Sequence, residues 1–367
     1  MERMQSTWEN VVDYDMSESG VRPLTLRELV TMGFDLDEFL DQPLGYSQSN
    51  GTVELRQRIA ALYPGSRVEQ IEVTNGTSEA NYLVALSQLA PGQVFAMELP
   101  NYMQMPGVAR SLGARVQTFR LRQETGWEPD WDEFERAVSA DSKLLYISNP
   151  NNPTGAVLSD AAMRRIADRC DRTGTWLLSD EVYLGAEIAR PRTKSFWGMS
   201  DRVIVTSGLS KAYGLPGLRI GWLVAPPELV ADLWAIHDYT TIAPGGINDR
   251  LARIALEPSR RATLLARTRG IIRTNYALVR RWIERQDGLS HIAPEAGAIV
   301  FVRHTHPFRS SELTERLRVE RSVLLVPGDY FDLNGYLRIG FGSDPKYLES
   351  ALTLIGEFLS SVGAHAR

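Results

Sequence analysis

Two rhythms of apolar residues run through the middle of the chain. Within residues 78–89, Ala80, Leu83, Val84, Ala85 and Leu86 recur at helical spacing, and the pattern ends near Gly92. Residues 93–97, 144–147, 176–178 and 203–205 are short apolar runs with no polar alternation, and 115–119 is a further strand candidate. Residues 108–112 read as a helix closing at Gly113. Ser159 is an N-cap residue for a helix carrying Met163, Ile166, Ala167 and Cys170 on one face, with Gly174 as its stop. Strands that alternate with helices and are apolar throughout are buried on both faces. The predicted fold is therefore α/β, a mostly parallel sheet with helices on both sides.

The texture changes after about residue 255. A long Arg-rich helix is predicted over 260–285. Strand runs follow at 299–302, 323–326 and 337–339, with helices at 311–317 and 345–359. This pattern predicts a smaller α+β domain. The expected division is a large domain over 45–255, with 1–44 and 256–367 forming an N-terminal segment and a small C-terminal domain. The arginines of 260–285 read as a solvated helix face, because acidic residues balance them and no aromatic ladder accompanies them.

Composition narrows the classes. With 43% hydrophobic and 23% charged residues over 367 positions, the chain is an ordinary globular one. Lys plus Arg total 40 against 45 Asp plus Glu, a net charge of −5, so no partner nucleic acid or anionic membrane is expected. Cys170 is the single cysteine, which excludes an internal disulfide and a cysteine-built metal site. Of five histidines (His237, His291, His304, His306, His365) only His304 and His306 are close, and no metal is expected. Residues 1–10 carry no apolar run and no stretch is long enough to span a bilayer, so the expected compartment is the cytoplasm.

Polar residues cluster where the predicted strands end, and open α/β sheets bind ligands beyond those ends. Asn149-Pro-Asn-Asn-Pro-Thr-Gly155 follows one strand. Asp180-Glu-Val-Tyr183 follows the next, and Ser207-Gly-Leu-Ser-Lys211 the one after. Gly76-Thr77-Ser78 opens the helix at 78–89. Taken singly, these are a turn, a helix cap and a common helix start. Taken together they suit a lysine that condenses with an aldehyde cofactor and then moves protons.

Ser207-Gly-Leu-Ser-Lys211-Ala-Tyr-Gly-Leu-Pro-Gly-Leu-Arg219 resembles the cofactor-lysine signature of the class I/II aminotransferases, fold type I pyridoxal-phosphate enzymes. The Asn-Asn-Pro-Thr-Gly loop and the Asp-x-x-Tyr element are similar to that family's in kind and order. With Tyr46, Gly76, Tyr102 and Arg338 included, the resemblance spans nearly the whole chain. It implies an aminotransferase that moves an amino group between an L-amino acid and a 2-oxo acid through a Lys211 Schiff base with pyridoxal 5′-phosphate. Asp180 is then the partner of the pyridinium nitrogen, and Asn152 and Tyr183 bond the ring oxygen. Gly76, Thr77, Ser78, Ser210 and Arg219 form the phosphate cup. Tyr102 stacks on the ring, and Tyr46 reaches the phosphate from the partner subunit of a homodimer. Arg338 clamps the substrate carboxylate, with Asn152 and Gly20 beside it.

One position departs from the family. Ser or Thr is usual three residues before the lysine, and here Gly208 stands there, leaving Ser207 or a water to supply the bond. Residues 17–29 and 211–238 also resemble capreomycidine synthases, enzymes of the same fold that close a guanidino side chain onto an electron-deficient carbon. This resemblance implies an alternative: a lyase or cyclase acting on a guanidino amino acid. A non-catalytic ligand sensor fused to a DNA-binding domain is disfavoured, because little chain precedes the fold.

Overall fold

The computed structural model describes residues 1–32, 36–189 and 192–364, and His365 lies outside the described residues. An eight-stranded sheet forms its centre. β1 (Ile71–Thr74), β2 (Val94–Leu99), β3 (Arg115–Arg122), β4 (Glu128–Pro129), β5 (Ser142–Ser148), β6 (Trp176–Asp180), β7 (Val203–Gly208) and β8 (Gly221–Val224) stand in the order β1-β8-β7-β6-β5-β2-β3-β4. The run from β7 through β6, β5 and β2 to β3 is parallel. The pairings of β8 with β1 and β7, and of β4 with β3, are antiparallel. The α/β fold with a mostly parallel sheet is thus observed. The sequence reading has no strand at β1, β4 or β8.

Around the sheets run α1 (Glu2–Trp8), α2 (Thr77–Gln88), α3 (Asp160–Thr173), α4 (Pro227–His237), α5 (Pro258–Ile283), α6 (Ser310–Arg321) and α7 (Pro345–Ala364), with further helices between them. Strand side chains alternate between faces. Leu144 and Tyr146 of β5 therefore join Ala80, Leu83 and Val84 of α2 in one core, while Leu145 and Ile147 join Met163, Ile166 and Cys170 of α3 in the other. Helix α3 starts and stops as its sequence dictates. The Ser159 hydroxyl accepts the Ala162 amide, and Gly174 closes the helix at φ +71°. Ile166 is fully buried, and truncating such a residue to Ala costs about 2–5 kcal/mol.

The second sheet is antiparallel, with β9 (Leu289–His291), β10 (Ile299–His304), β11 (Val326–Pro327) and β12 (Tyr336–Gly340) in the order β9-β10-β12-β11. Leu313 and Leu317 of α6 and Ile355 of α7 bury against it. The apolar run 323–326 is two short strands rather than one. Val323 and Leu324 pair in parallel with Tyr14 and Asp15 in a separate two-stranded sheet, which ties the N-terminal segment to the C-terminal part of the chain. Among the described residues no helix is long and apolar enough to cross a membrane.

Candidate active site

Three neighbouring parallel strands end at one rim. Asp180 is the last residue of β6, Lys211 lies three residues past β7, and Asn152 sits in the loop after β5. The N-terminus of α2 and Arg338 of β12 face the same space, a cavity of about 360 Å³. Thr77, Ser78, Tyr102, Asn152, Asp180, Tyr183, Ser210, Lys211, Arg219 and Arg338 all line it. Two further expected residues stand behind this lining. Gly76 holds φ +94°, and a Cβ there would meet the Arg219 guanidinium at 2.1 Å, so glycine lets that side chain cross the phosphate-cup loop. Gly20 packs against the Lys211 stem, where a Cβ would lie 3.4 Å from Cδ. Tyr46 is not brought in: it is 88% exposed and lies outside the cavity lining of its own chain. A larger cleft, about 670 Å³ beside Trp127 and Tyr336, contains none of the expected residues.

Asp180 is buried and fully bonded. Its Oδ2 accepts Asn81 Nδ2 at 2.8 Å and the Tyr146 hydroxyl at 3.2 Å, and Oδ1 accepts the Val182 amide at 3.1 Å. Burial raises its carboxyl above the ordinary range, against those hydrogen bonds. Tyr183 is likewise buried, and burial raises its hydroxyl. Arg338 is 1% exposed. Nη1 donates to Asn152 Oδ1 at 3.0 Å, Nη2 donates to the Ser17 carbonyl, and Nε has no partner. A buried guanidinium with a free donor beside a cavity is suited to a carboxylate.

The departure at Gly208 has a steric cause. A Cβ there would sit 2.6 Å from Thr77 Oγ1 and 2.9 Å from the Ile220 carbonyl. Thr77 therefore occupies the room that a hydroxyl at 208 would need. Its own hydroxyl is buried without a partner, while Ser207 Oγ donates to the Glu181 carbonyl at 3.2 Å and is no substitute.

The sequence reading missed part of the site. Helix α1 closes over the cavity, with Glu2, Gln5 and Glu9 in its lining and Gln5 Nε2 bonded to the Ser17 carbonyl at 3.0 Å. Glu18 Oε1 lies 2.7 Å from Lys211 Nζ. Burial works against both charges, yet each outweighs it for the other, with Lys211 raised and Glu18 held down to about 2. Asn81 offered one faint signal, a polar residue inside the apolar stripe of α2.

The family model "aminotransferase class I and II" matches residues 41–355, and the chain belongs to that family. It is 32% identical to the capreomycidine synthase of Streptomyces vinaceus, over 96% of this chain and 90% of that one. It is 30% identical to the valine–pyruvate aminotransferase of Mycobacterium tuberculosis, over 87% and 84%. A pyridoxal-phosphate-dependent aminotransferase from Streptococcus suis superposes with a TM-score of 0.93 at 32% identity, over 98% and 97% of the two chains. The chain is thus a fold type I pyridoxal-phosphate-dependent aminotransferase. Its residues fit that cofactor: an orphaned Thr77 hydroxyl at a helix N-terminus would meet the phosphate, and a buried carboxylate would meet the ring nitrogen.

Proposed function

We propose that this enzyme transaminates an L-amino acid with a cationic side chain, as a cytoplasmic homodimer. Residues 45–255 form its cofactor-binding unit, and residues 1–44 and 256–367 its substrate-facing unit. The carboxylates that border the substrate space carry this reading. Arg338 is matched by a substrate carboxylate, Arg219 by a phosphate and Asp180 by a ring nitrogen. Glu2 and Glu9 remain, and Glu18 joins them once Lys211, its ion partner, bonds elsewhere. Glu9 is raised by burial and by Asp15, Glu18 and Glu2 around it, a repulsion that an ammonium or guanidinium would relieve. The likeness to a capreomycidine synthase agrees with a guanidino group.

Pyridoxal phosphate, when bound, supplies an electron sink for the pair left at Cα after proton loss. The chain supplies the rest. Arg338 and Asn152 orient the substrate carboxylate. Lys211 Nζ takes the proton at Cα and can return it elsewhere, since it stands on a flexible stem. Asp180, fixed by three donors, would hold a proton at the ring nitrogen. Tyr183 would donate to the ring oxygen and Tyr102 would cover the ring, while α1 limits water. Ser78, Ser210 and Arg219 would hold the phosphate, with Tyr46 of the partner subunit added.

The test compares L-arginine and L-ornithine with L-norvaline, a neutral donor, using pyruvate as acceptor. A kcat/KM at least tenfold higher for the cationic donors is expected, and parity would overturn the substrate assignment. Sedimentation under assay conditions should give a dimer, and activity in a monomer would remove Tyr46 from the site.

The Lys211–Glu18 contact favours a second reading. It puts two acid–base groups within 2.7 Å, which elimination or ring closure at the side chain would use. A single turnover without acceptor separates the two. An aminotransferase stops after one 2-oxo acid per site, whereas a lyase or cyclase continues.

A further inference from the structure

Behind the expected phosphate cup lies a buried ionic cluster that the reaction does not use. Glu79 stands in the first turn of α2, two residues past Thr77. Its Oε2 accepts the Asn75 amide at 2.6 Å, and its Oε1 accepts the hydroxyls of Thr240 and Thr241 at 3.1 and 2.7 Å. His237, the last residue of α4, is fully buried, with Nε2 3.3 Å from Glu79 Oε2 and Nδ1 2.6 Å from Glu72 Oε1. Glu72 is on β1 and is also fully buried. None of the three lines the cavity. On the other side of the same loop, Arg219 Nη2 donates to the Asn75 carbonyl at 3.4 Å.

A carboxylate in the first turn is attracted to the same helix N-terminus as a phosphate. Left unneutralised, Glu79 would repel a dianion bound at Thr77 and Ser78. An imidazolium bonded to Glu79, and shared with Glu72, reduces that repulsion and holds the carboxylate in the pose that fixes Asn75. We propose that His237, as the imidazolium, is a positioning residue for the cofactor phosphate, acting through Glu79 on residues 75–78. Burial opposes its charge, but the bonds to Glu72 and Glu79 outweigh burial and raise it to about 9, so it is protonated at neutral pH. The inference rests on the reading that the phosphate sits at this helix N-terminus.

The experiment measures dissociation constants for pyridoxal 5′-phosphate and for pyridoxal, which lacks the phosphate, by quenching of tryptophan fluorescence in the full chain freed of cofactor. His237→Gln should weaken pyridoxal phosphate about tenfold or more while leaving pyridoxal within about twofold. Glu79→Gln, which keeps an acceptor for Asn75, should raise the preference for the phosphorylated ligand. The double variant His237→Gln/Glu79→Gln should return to within about threefold of the parent. A purely structural cluster would weaken both ligands alike, or neither, in His237→Gln, and either result overturns the proposal. If His237→Gln does not fold, a fall in phosphate preference in Glu79→Gln overturns it. Ser78→Ala separates the two levels. If Ser78→Ala keeps the phosphate preference, the cup itself is misplaced; if Ser78→Ala loses it and His237→Gln does not, the His237 inference alone fails.

Discussion

Glu18 Oε1 stands 2.7 Å from Lys211 Nζ and 2.6 Å from the Gly20 amide, so a residue of the N-terminal segment holds the amine that the chemistry depends on. The Gly20 amide fixes the carboxylate, and Lys211 stays charged until it bonds elsewhere. Once that bond forms, Glu18 faces the substrate space with its ion partner gone. Its side chain is 51% exposed, so its charge is partly screened. Glu18→Gln should lower kcat/KM for L-arginine about tenfold and for L-norvaline less than threefold. Steady-state kinetics on the two donors checks this, and an equal loss on both would show that Glu18 serves the lysine rather than the side chain.

Lys211→Ala should remove the covalent bond to the cofactor but not its binding, because the phosphate and ring contacts come from other residues. Borohydride treatment followed by denaturing dialysis should leave cofactor absorbance on the parent and none on the variant. The loss of acid–base catalysis should cost at least about 10²–10⁴ in kcat. A labelled peptide centred on another lysine would contradict the assignment.

Asp180→Asn preserves the volume and most of the contacts with Asn81, Tyr146 and the Val182 amide. What it removes is the charge that stabilises a protonated ring. A drop in kcat of about 10²–10³ is expected, with far-ultraviolet dichroism unchanged. If kcat stays within tenfold of the parent, Asp180 is structural.

The buried cluster at His237 also predicts how stability varies with pH. The His237 ring is raised from the usual 6.5 to about 9, with the bonds to Glu72 and Glu79 outweighing burial. A group raised on folding stabilises fully below its unfolded value and loses that contribution as pH climbs through its folded one. Glu72, raised by burial to about 7 from 4.5, acts in the same direction over a lower range. Thr241 also touches the ring, and Arg56 and Asp238 act on Glu72. The melting temperature should therefore fall between pH 6.5 and 9, and His237→Gln should flatten that fall. Calorimetry at four pH values decides, and parallel slopes would disprove it.

Local signals made the centre of the molecule readable. Ser159 and Gly174 delimit α3 by hydrogen bonding and backbone freedom, both properties of single residues. The strands β2, β5, β6 and β7 are apolar because helices cover both faces. The motifs at their ends follow from the same geometry, which is why the sequence named ten of the fifteen lining residues from Thr77 to Arg338 but not Asn81, Tyr146, Ser148, Val182 or Pro216. What stayed hidden depends on tertiary approach. Helix α1 is seven residues long, with only Met4 and Trp8 apolar and Gln5 as its buried residue, too short a pattern to show where it docks. Glu18 meets Lys211 from 193 positions away. The Glu72–His237–Glu79 cluster joins a strand and two helices, and no one of them marks its member as special. Gly208 looked like a lost hydrogen bond until the position of Thr77 showed where the hydroxyl had gone.

The crowding at Gly208 bears on how such sites diverge. A mutation to Ser there would drive its Cβ to within 2.6 Å of Thr77 Oγ1 and 2.9 Å of a backbone carbonyl, so it is damaging on its own. Shrinking Thr77 alone would discard a hydroxyl with nothing in its place. Positions 77 and 208 are therefore epistatic. The hydroxyl can change strands only if both residues change together, with the backbone around Ile220 giving way by tenths of an ångström. From Thr77 with Gly208, either single change gives a crowded or hydroxyl-poor site, even though both paired arrangements could place the same oxygen at a phosphate.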